Sequence, residues 1–338
     1  MTPMHSVLIV DDEPSVRNIM ARWVAALGLQ PKTAASAEEA LETLRTEHYD
    51  LAVIDVMMPG RDGMWLAGEL QRDHPHTAVV IATAYTELLD GDAQSRPIAD
   101  LLVKPFQRDR FELAVDRSRQ WRKQAIEEVH WHAALATEVS EHTARLCASI
   151  ERGQGVDEIA IITGLVHERA ADVIAHGCRV ERYAVAVARE LGVGQDEPGD
   201  LFGLAARFHD VGKAAMPEAL LTKPSPLSPG ETAVMHKHVE AGARMLAASR
   251  TLAQLAPIVL ASHEWFGGGG YPTRLAGDRI PLASRIIAVA DAYDAMTHGR
   301  LYRTGIGSSE AIGELLRCQC TQFDPEIVAA FLTVLGKH

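Results

Sequence analysis

Adjacent imidazole and carboxylate side chains in the second half of the sequence have the chemistry of a metal site. His209 and Asp210 are neighbours, and Lys213 follows one helical turn later. Imidazole and carboxylate together suit Mn, Fe, Zn or Ni, and the ammonium group of a lysine can pair with an anionic substrate. A single His-Asp pair is more often a hydrogen-bonded surface pair, so this prediction depends on whether other ligands converge on it.

Further metal-ligating residue types recur along the same half of the chain. Asp172 and His176 are four residues apart, which places them on one face of a helix. The other candidates fall in or beside helical patterns: His238, His263, Glu264, Asp291 and Asp294. Spacing alone does not show that these side chains meet.

A second group of carboxylates lies near the N-terminus. Asp11 and Asp12 follow one short apolar run, and Asp55 follows another. In doubly wound sheets ligands bind outside the carboxyl ends of the strands, so these three side chains are expected to share one cleft. Three carboxylates repel one another unless a cation joins them, and Mg²⁺ is the natural partner. Such a site would orient a phosphoryl donor toward an aspartate nucleophile.

The surrounding patterns predict two domains of different class. In the first third of the chain helical patterns alternate with short apolar runs, which favours an α/β doubly wound parallel sheet: Val7–Val10, Leu51–Ile54, Ala78–Ala82 and Leu101–Val103. After Gly153, helical periodicity recurs and strand-like alternation is scarce, so the second domain is predicted to be all-α.

The segment from Pro105 to about Ile150 has no strong helix breaker, and its apolar residues fall near one 3.5-residue seam. It predicts either a long helix that dimerises weakly or a helix that packs on its own C-terminal domain. The predicted division is a first domain over residues 1–122, a helical linker over 123–152 and a second domain over 153–338.

Composition excludes several classes of protein. The chain has 338 residues, of which 47% are apolar, so more than one hydrophobic core is expected. A net charge of -12 argues against a general DNA-binding surface. There is no basic and apolar N-terminal signal and no apolar run of about 18 residues, so a cytoplasmic protein without membrane insertion is predicted. The four cysteines show no paired framework and are assigned no role.

Four N-terminal motifs resemble those of the response-regulator receiver domain, a flavodoxin-like fold, over residues 4–120: Asp11-Asp12, Asp55-Val-Met-Met-Pro-Gly, Thr83-Ala-Tyr and Lys104-Pro105. The resemblance implies that Asp55 accepts a phosphoryl group from a sensor histidine kinase and that Asp11, Asp12 and Asp55 hold Mg²⁺. It also implies that Thr83 hydrogen-bonds the phosphoryl oxygen and that Lys104 pairs with it. The alternative is a receiver whose acidic residues are unused.

Six motifs between Asp172 and Phe331 together resemble the HD-GYP phosphodiesterases: His176-Gly-Cys-Arg179-Val, His209-Asp210-Val-Gly-Lys213, Met235-His-Lys-His238, Gly270-Tyr271-Pro272, Ala290-Asp291-Ala-Tyr-Asp294-Ala-Met-Thr297 and Arg300-Leu-Tyr-Arg303. This resemblance implies hydrolysis of cyclic di-GMP at a site with two or three divalent metals, iron or manganese.

The same resemblance implies a role for individual residues. The implied metal ligands are His176, His209, Asp210, His238, His263 and Asp291, with Asp210 bridging two metals and Asp172 serving a third. Asp210 and Lys213 are the implied catalytic pair, because the ammonium of Lys213 would offset charge on the phosphoryl oxygens. Arg300, Arg303 and Tyr271 are the implied substrate-binding residues.

One departure from the family pattern affects the metal site. The family usually has His-His-Glu before its glycine-rich loop, whereas this chain has Ser262-His263-Glu264, and Gly267 stands where an Asp is common. A serine hydroxyl is a poor metal donor. Two functions therefore stay open: an active, homodimeric cyclic di-GMP phosphodiesterase, or a catalytically weak or inactive module that binds a protein partner. The Gly-Tyr-Pro loop is the predicted surface for such a partner.

Overall fold

The protein is described by a computed structural model that covers residues 4–84, 98–153, 157–193, 201–298 and 305–336. The chain divides into two compact units, Met1–Trp131 and His132–His338. The division falls inside a single long helix, α4 (Arg108–Arg152). Within the described ranges, no helix combines the length and the apolar character needed to cross a membrane.

The first unit contains a parallel five-stranded sheet with the strand order β2-β1-β3-β4-β5. Its strands and first helices are β1 (Ser6–Val10), α1 (Pro14–Ala26), β2 (Gln30–Ala34), α2 (Ala37–Leu44), β3 (Leu51–Asp55), α3 (Gly63–Asp73), β4 (Ala78–Thr83) and β5 (Asp100–Val103). Every residue of β3 and β4 is buried, as expected for central strands covered on both faces. The doubly wound fold predicted from the sequence is confirmed.

One strand of this sheet has no counterpart in the predicted apolar runs. β2 lies at the edge of the sheet, and only Ala34 of its five residues is buried. Pro31 and Lys32 are residue types that protect an exposed edge strand, and they remove the apolar signal on which the prediction depends.

The second unit is mostly helical, as predicted. Its helices are α5 (Glu158–Glu190), α6 (Leu201–Arg207), α7 (Glu218–Leu221), α8 (Pro229–Met235), α9 (His238–Ala247), α10 (Ala256–Leu260), α11 (Leu282–Thr297), α12 (Ser308–Arg317) and α13 (Pro325–Gly336). A short 3-10 helix, Val211–Ala215, follows α6. α5 has a kink at Ala170.

A single apolar cluster fills the second unit and includes the last part of α4. Leu135, Val139, Leu146 and Ile150 are buried in this cluster together with residues such as Phe208. Residues inside the predicted linker, 123–152, thus pack within the second unit, which corresponds to the alternative that the helix packs on its own C-terminal domain. The division into residues 1–122, 123–152 and 153–338 remains a prediction.

Candidate metal centre

The first candidate ligand cluster combines His176 of α5, His209 after α6 and Asp291 of α11. One ligand atom of each residue lies within 4.8 Å of the others. Asp291 Oδ1 is 2.9 Å from His176 Nε2 and 3.7 Å from His209 Nε2. A glycine makes this approach feasible, because a Cβ at Gly177 would lie 2.1 Å from the carbonyl oxygen of Arg207. The backbones of α5 and α6 are therefore in contact beside the two imidazoles.

The second candidate ligand cluster combines Asp210, His238 and His263. Asp210 Oδ1 lies 3.1 Å from His238 Nε2 and 3.6 Å from His263 Nε2. Its other oxygen, Oδ2, lies 3.6 Å from His209 Nε2 and 3.9 Å from His176 Nε2. Asp210 thus directs one oxygen toward each cluster.

Two of these imidazoles have tautomers suited to binding a cation. His209 Nδ1 is 2.8 Å from the carbonyl oxygen of Ala206, and His238 Nδ1 is 2.8 Å from that of Met235. A carbonyl only accepts, so each Nδ1 carries a proton, and in the neutral ring the lone pair is then on Nε2, which faces the cluster. This is the form of histidine that ligates metals.

Buried polar atoms in the two clusters lack hydrogen-bond partners. Within the described part of the chain, His209 Nε2 and Asp210 Oδ1 are both buried without a well-oriented hydrogen bond. Leaving such atoms unsatisfied costs about 1–3 kcal/mol each. A divalent cation in the first cluster would accept the lone pair of His209 Nε2, and one in the second would accept that of Asp210 Oδ1. The residues present therefore fit a metal in each cluster.

The charges around Asp210 keep it ionised. Burial raises the pKa of Asp210. The Lys213 ammonium and the imidazoles of His209, His238 and His263 together lower it by more than burial raises it, so the net pKa lies well below its usual value. Lys213 contacts Asp210 Oδ2 directly from the 3-10 helix that follows. Asp210 is therefore a permanent anion with one cation already beside it.

Asp294 supports the first cluster. It was a candidate ligand by residue type, but the family resemblance implied no role for it. Its Oδ2 lies 2.7 Å from His176 Nδ1, on the side of the ring away from Asp291. Burial raises the pKa of Asp294, but hydrogen bonds from His176 and Arg179 lower it below its usual value. The available signal was spacing, because Asp291 and Asp294 lie one turn apart on α11 and face the same way.

Two neighbouring carboxylates favour the protonated form of His176. Burial lowers its pKa, but hydrogen bonds to Asp291 and Asp294 raise it to about 9. A metal at Nε2 would have to displace the proton on that nitrogen, while Asp294 keeps the one on Nδ1.

Tyr271 packs against the second cluster. Its ring is parallel to that of His263, with centroids 5.2 Å apart, and parallel to that of His236 at 3.6 Å. His236 is not among the residues predicted for the site. The structure shows that it is partly buried and stacks on Tyr271.

Ser262 and Glu264, the neighbours of His263, have other partners. Ser262 is buried and donates its hydroxyl to the carbonyl oxygen of Val259, at 2.8 Å. Glu264 accepts hydrogen bonds from the backbone and side chain of Thr273, at 2.7 and 2.8 Å, and from the backbone of Leu275, at 3.0 Å. His263 is therefore the member of this tripeptide that reaches the clusters.

One predicted ligand, Asp172, is not brought to these clusters. Among the residues that the structure describes, Asp172 is exposed and joins neither one. Arg300 and Arg303 lie outside the described residues.

A third cluster lies at the carboxyl ends of β1 and β3. Ligand atoms of Asp11, Asp12 and Asp55 lie within 4.8 Å of one another. Lys104 Nζ is 2.7 Å from Asp11 Oδ2 and 3.0 Å from Asp55 Oδ2, and Thr83 is buried at the end of the adjacent strand β4. Burial raises the pKa of Asp55, and Lys104 opposes this shift. The three acidic groups thus share one cation-binding pocket.

Comparison with known proteins identifies both units. The family model of the response regulator receiver domain matches residues 7–116, and that of the HD domain matches residues 160–327.

Two curated relatives span nearly the whole chain. The cyclic di-GMP phosphodiesterase of Thermotoga maritima is 29% identical over 333 residues, which cover 97% of this chain and 89% of that protein. The cyclic di-GMP phosphodiesterase response regulator RpfG of Xanthomonas campestris pv. campestris is 30% identical over 336 residues, covering 97% and 87%. A third relative, the 3'3'-cGAMP-specific phosphodiesterase 2 of Vibrio cholerae, is 38% identical over 173 residues, which are 51% of this chain and 33% of that protein. The chain therefore belongs to the family of response regulators in which a receiver domain is followed by an HD domain.

Proposed function

We propose that this protein is a response regulator whose phosphorylation controls a metal-dependent hydrolysis of cyclic di-GMP to linear pGpG, GMP or both. The observation that carries this proposal is the position of Asp210, which directs one carboxylate oxygen toward each of two ligand clusters. Relatives that match over nearly their whole length are named as cyclic di-GMP phosphodiesterases.

Two divalent metals are proposed for these clusters. His176, His209 and Asp291 would hold one, His238 and His263 the other, and Asp210 would contact both. Mixed nitrogen and oxygen ligands favour manganese or iron over magnesium. A pair of such metals lowers the pKa of bound water and stabilises the attacking and leaving oxygens of a phosphodiester. Asp172 is exposed and joins neither cluster, so the proposal is limited to two metals.

The protein's own groups would bind and orient the substrate. Lys213 lies beside Asp210, and its ammonium would pair with the phosphoryl oxygens as negative charge grows on them. Tyr271, which packs on His263, would present its ring edge to a base of the dinucleotide. Arg300 and Arg303 are proposed, from the family motif alone, to hold the second phosphate or the guanine edges.

The receiver pocket is proposed to control this site. Asp55 would be phosphorylated by a sensor histidine kinase, with Mg²⁺ held by Asp11, Asp12 and Asp55. Lys104 and Thr83 would then contact the phosphoryl group, since both lie at the same edge of the sheet as Asp55. The added charge would bias the receiver between two states.

A homodimer and a cytoplasmic location are also proposed. Val129 and Trp131 of α4 are exposed large apolar residues, and they would be covered in a dimer that uses this helix. Light scattering across a range of concentrations would test this. A strictly monomeric protein, with and without a phosphoryl mimic, would contradict it.

The deciding experiment measures metal content and hydrolysis of cyclic di-GMP on the same preparations. Asp210→Ala should lose both metals and reduce hydrolysis by more than about 100-fold. Removing a group that only hydrogen-bonds to a metal ligand already lowers metal affinity or activity about 10- to 100-fold, and Asp210 is itself a proposed ligand. Glu168→Gln removes an exposed carboxylate of α5 and is the matched control. A wild-type protein that binds two metals and hydrolyses no cyclic di-GMP would contradict the proposal.

Ser262 favours the second candidate function, an inactive HD module that binds a protein partner. It stands where the family usually has an imidazole, and its hydroxyl is bonded to the backbone of Val259. Ser262→His should raise metal content and hydrolysis together if position 262 lies within reach of the second cluster. If it raises neither, and the wild-type protein is inactive with saturating Mn²⁺, the partner-binding function replaces the catalytic one.

A further inference from the structure

Two histidines of α4 touch the segments that carry the second cluster. His142 Nδ1 lies 3.3 Å from the carbonyl oxygen of Ala215. His132 packs on Gly230, where a Cβ would lie 2.0 Å from the Cε1 atom of the imidazole. Both residues are polar positions in the apolar seam of α4. They lie three residues from Leu135 and Val139, respectively, and therefore on the same face of the helix. The two polar residues in the apolar seam of α4 therefore contact segments next to the second cluster.

His142 helps to hold the end of the 3-10 helix that contains Lys213. The last carbonyl groups of such a helix have no partner within it. Ala215 O faces His142, and Met216 O accepts a hydrogen bond from Arg169 Nη2 at 3.5 Å. Arg169 Nη2 also lies 3.1 Å from His142 Nδ1. A guanidinium only donates and a carbonyl only accepts, so His142 Nδ1 bonds to Ala215 O when it carries the proton and to Arg169 when it does not.

The 3-10 helix is in turn locked to α9. A Cβ at Gly212 would lie 1.9 Å from the carbonyl oxygen of His238 and 2.4 Å from the backbone nitrogen of Gly242. The two segments therefore touch backbone to backbone, with no side chain between them to absorb a shift. A displacement of the 3-10 helix at Gly212 would therefore act on His238, and hence on the distance between His238 and Asp210.

His132 reaches the same cluster by a second route. Its Nε2 lies 3.4 Å from Ser228 Oγ, the N-cap of α8, and its ring lies against the first turn of that helix. α8 ends at Met235, and the Nδ1 of His238 bonds to the Met235 carbonyl oxygen. Movement of α8 along its axis would therefore act on the ring of His238.

A groove borders α4 beside these contacts. A groove of about 650 Å³ separates α4 from α9 and α10. Its α4 wall contains Ala136, Val139, Ser140 and Thr143, and small residues such as Ala243 face them. Leu135 and Val139 of the same stretch of α4 are buried in the core, and close-packed interiors transmit strain.

We propose that His132 and His142 are positioning residues that couple α4 to the second cluster, so that a displacement of this helix changes the geometry of Asp210, Lys213 and His238. The inference rests on the proposed function in one respect, namely that the second cluster holds a metal. It goes further by assigning the route by which a helix that begins in the receiver unit acts on that metal.

The test is a titration of Mn²⁺ into the full-length protein, with hydrolysis of cyclic di-GMP measured separately. The binding step that His263→Ala removes is assigned to the second cluster. His142→Ala should weaken this step by about 10-fold, since outer contacts commonly contribute about 10- to 100-fold. The other step should weaken less, because it shares only Asp210 with the second cluster. His142→Asn places a polar atom near the position of Nδ1 and should restore the affinity. Glu141→Ala, which changes an exposed neighbour on α4, is the control.

Each outcome separates positioning from a general structural role. A purely structural role would lower the melting temperature and shift both Mn²⁺ steps equally, and that result, or no shift, would overturn the inference. A wild-type protein with no second Mn²⁺ step would overturn it as well. If the Mn²⁺ steps respond as expected while no cyclic dinucleotide is hydrolysed, the coupling stands and the proposed catalytic function fails.

Discussion

Replacing Gly212 by alanine should damage the second cluster without changing any of its ligands. The new Cβ would lie 1.9 Å from the carbonyl oxygen of His238, whereas ordinary contacts begin at 3.4 Å. The two backbones must therefore separate by about 1.5 Å, the difference between these distances. No rotamer change relieves the clash, because the neighbouring atoms belong to the main chain. Overpacking of this kind costs about 1–3 kcal/mol of stability.

The same separation acts on the metal ligands. Asp210 Oδ1 and His238 Nε2 are 3.1 Å apart, and they belong to the two segments that Gly212→Ala would separate. A misplacement of about 1 Å can reduce catalysis about 100-fold. We expect Gly212→Ala to lower the melting temperature, to weaken the second Mn²⁺ step by at least about 10-fold and to reduce hydrolysis about 100-fold.

The assays are a thermal melt of the metal-free protein, a Mn²⁺ titration and hydrolysis of cyclic di-GMP. Gly164→Ala is the matched control, because Gly164 is exposed on α5 and has no atom within 4 Å of an added Cβ. It should keep metal binding and raise helix stability by about 0.5–1 kcal/mol. A Gly212→Ala protein with wild-type Mn²⁺ affinity would refute the reasoning that the two backbones are locked together.

Three further predictions concern separate parts of the chain. Asp294→Asn should weaken Mn²⁺ binding at the first cluster by about 10- to 100-fold, because His176 loses its anionic partner; a titration that matches the wild type would contradict this. The pKa of Glu231 is lowered to about 2, chiefly by a hydrogen bond from Lys223. Its ionised form therefore stabilises the fold above the unfolded pKa of about 4.3, and this contribution is lost as the pH falls toward 2. Urea midpoints of wild type and Glu231→Gln should differ at pH 6 and converge near pH 2, and a constant difference would exclude this role. Acetyl phosphate with Mg²⁺ should add a phosphoryl group to the wild type but not to Asp55→Asn, as measured by mass spectrometry; equal addition to both would reject Asp55 as the acceptor.

The sequence predicted the residues of the three clusters better than the contacts that support them. Asp11, Asp12 and Asp55 were expected to meet because parallel strands end at one edge of a sheet, and the structure brings them together. In the helical unit, periodicity could not show convergence, and only the family resemblance brought His176 and His263 into one prediction. The ligands themselves are thus the part that motifs can specify.

Supporting contacts were missed because they depend on tertiary packing. Asp294 lies on α11 and His176 on α5, so the bond between them becomes visible only when those helices are packed. The stacking of His236 on Tyr271 joins the end of α8 to a distant loop in the same way. The edge strand β2 was missed for the opposite reason, since four of its five residues face solvent and carry no apolar pattern.

Glu264 has a consequence for the thermodynamics of any association at the Gly-Tyr-Pro loop. Its carboxylate accepts three hydrogen bonds from Thr273 and Leu275 and so ties the far side of the loop to its start. A loop that is already ordered loses little conformational entropy when a partner docks on it. Association at this surface should therefore be fast and accompanied by little structural rearrangement. Glu264→Ala should slow it, although it changes none of the exposed side chains of the loop.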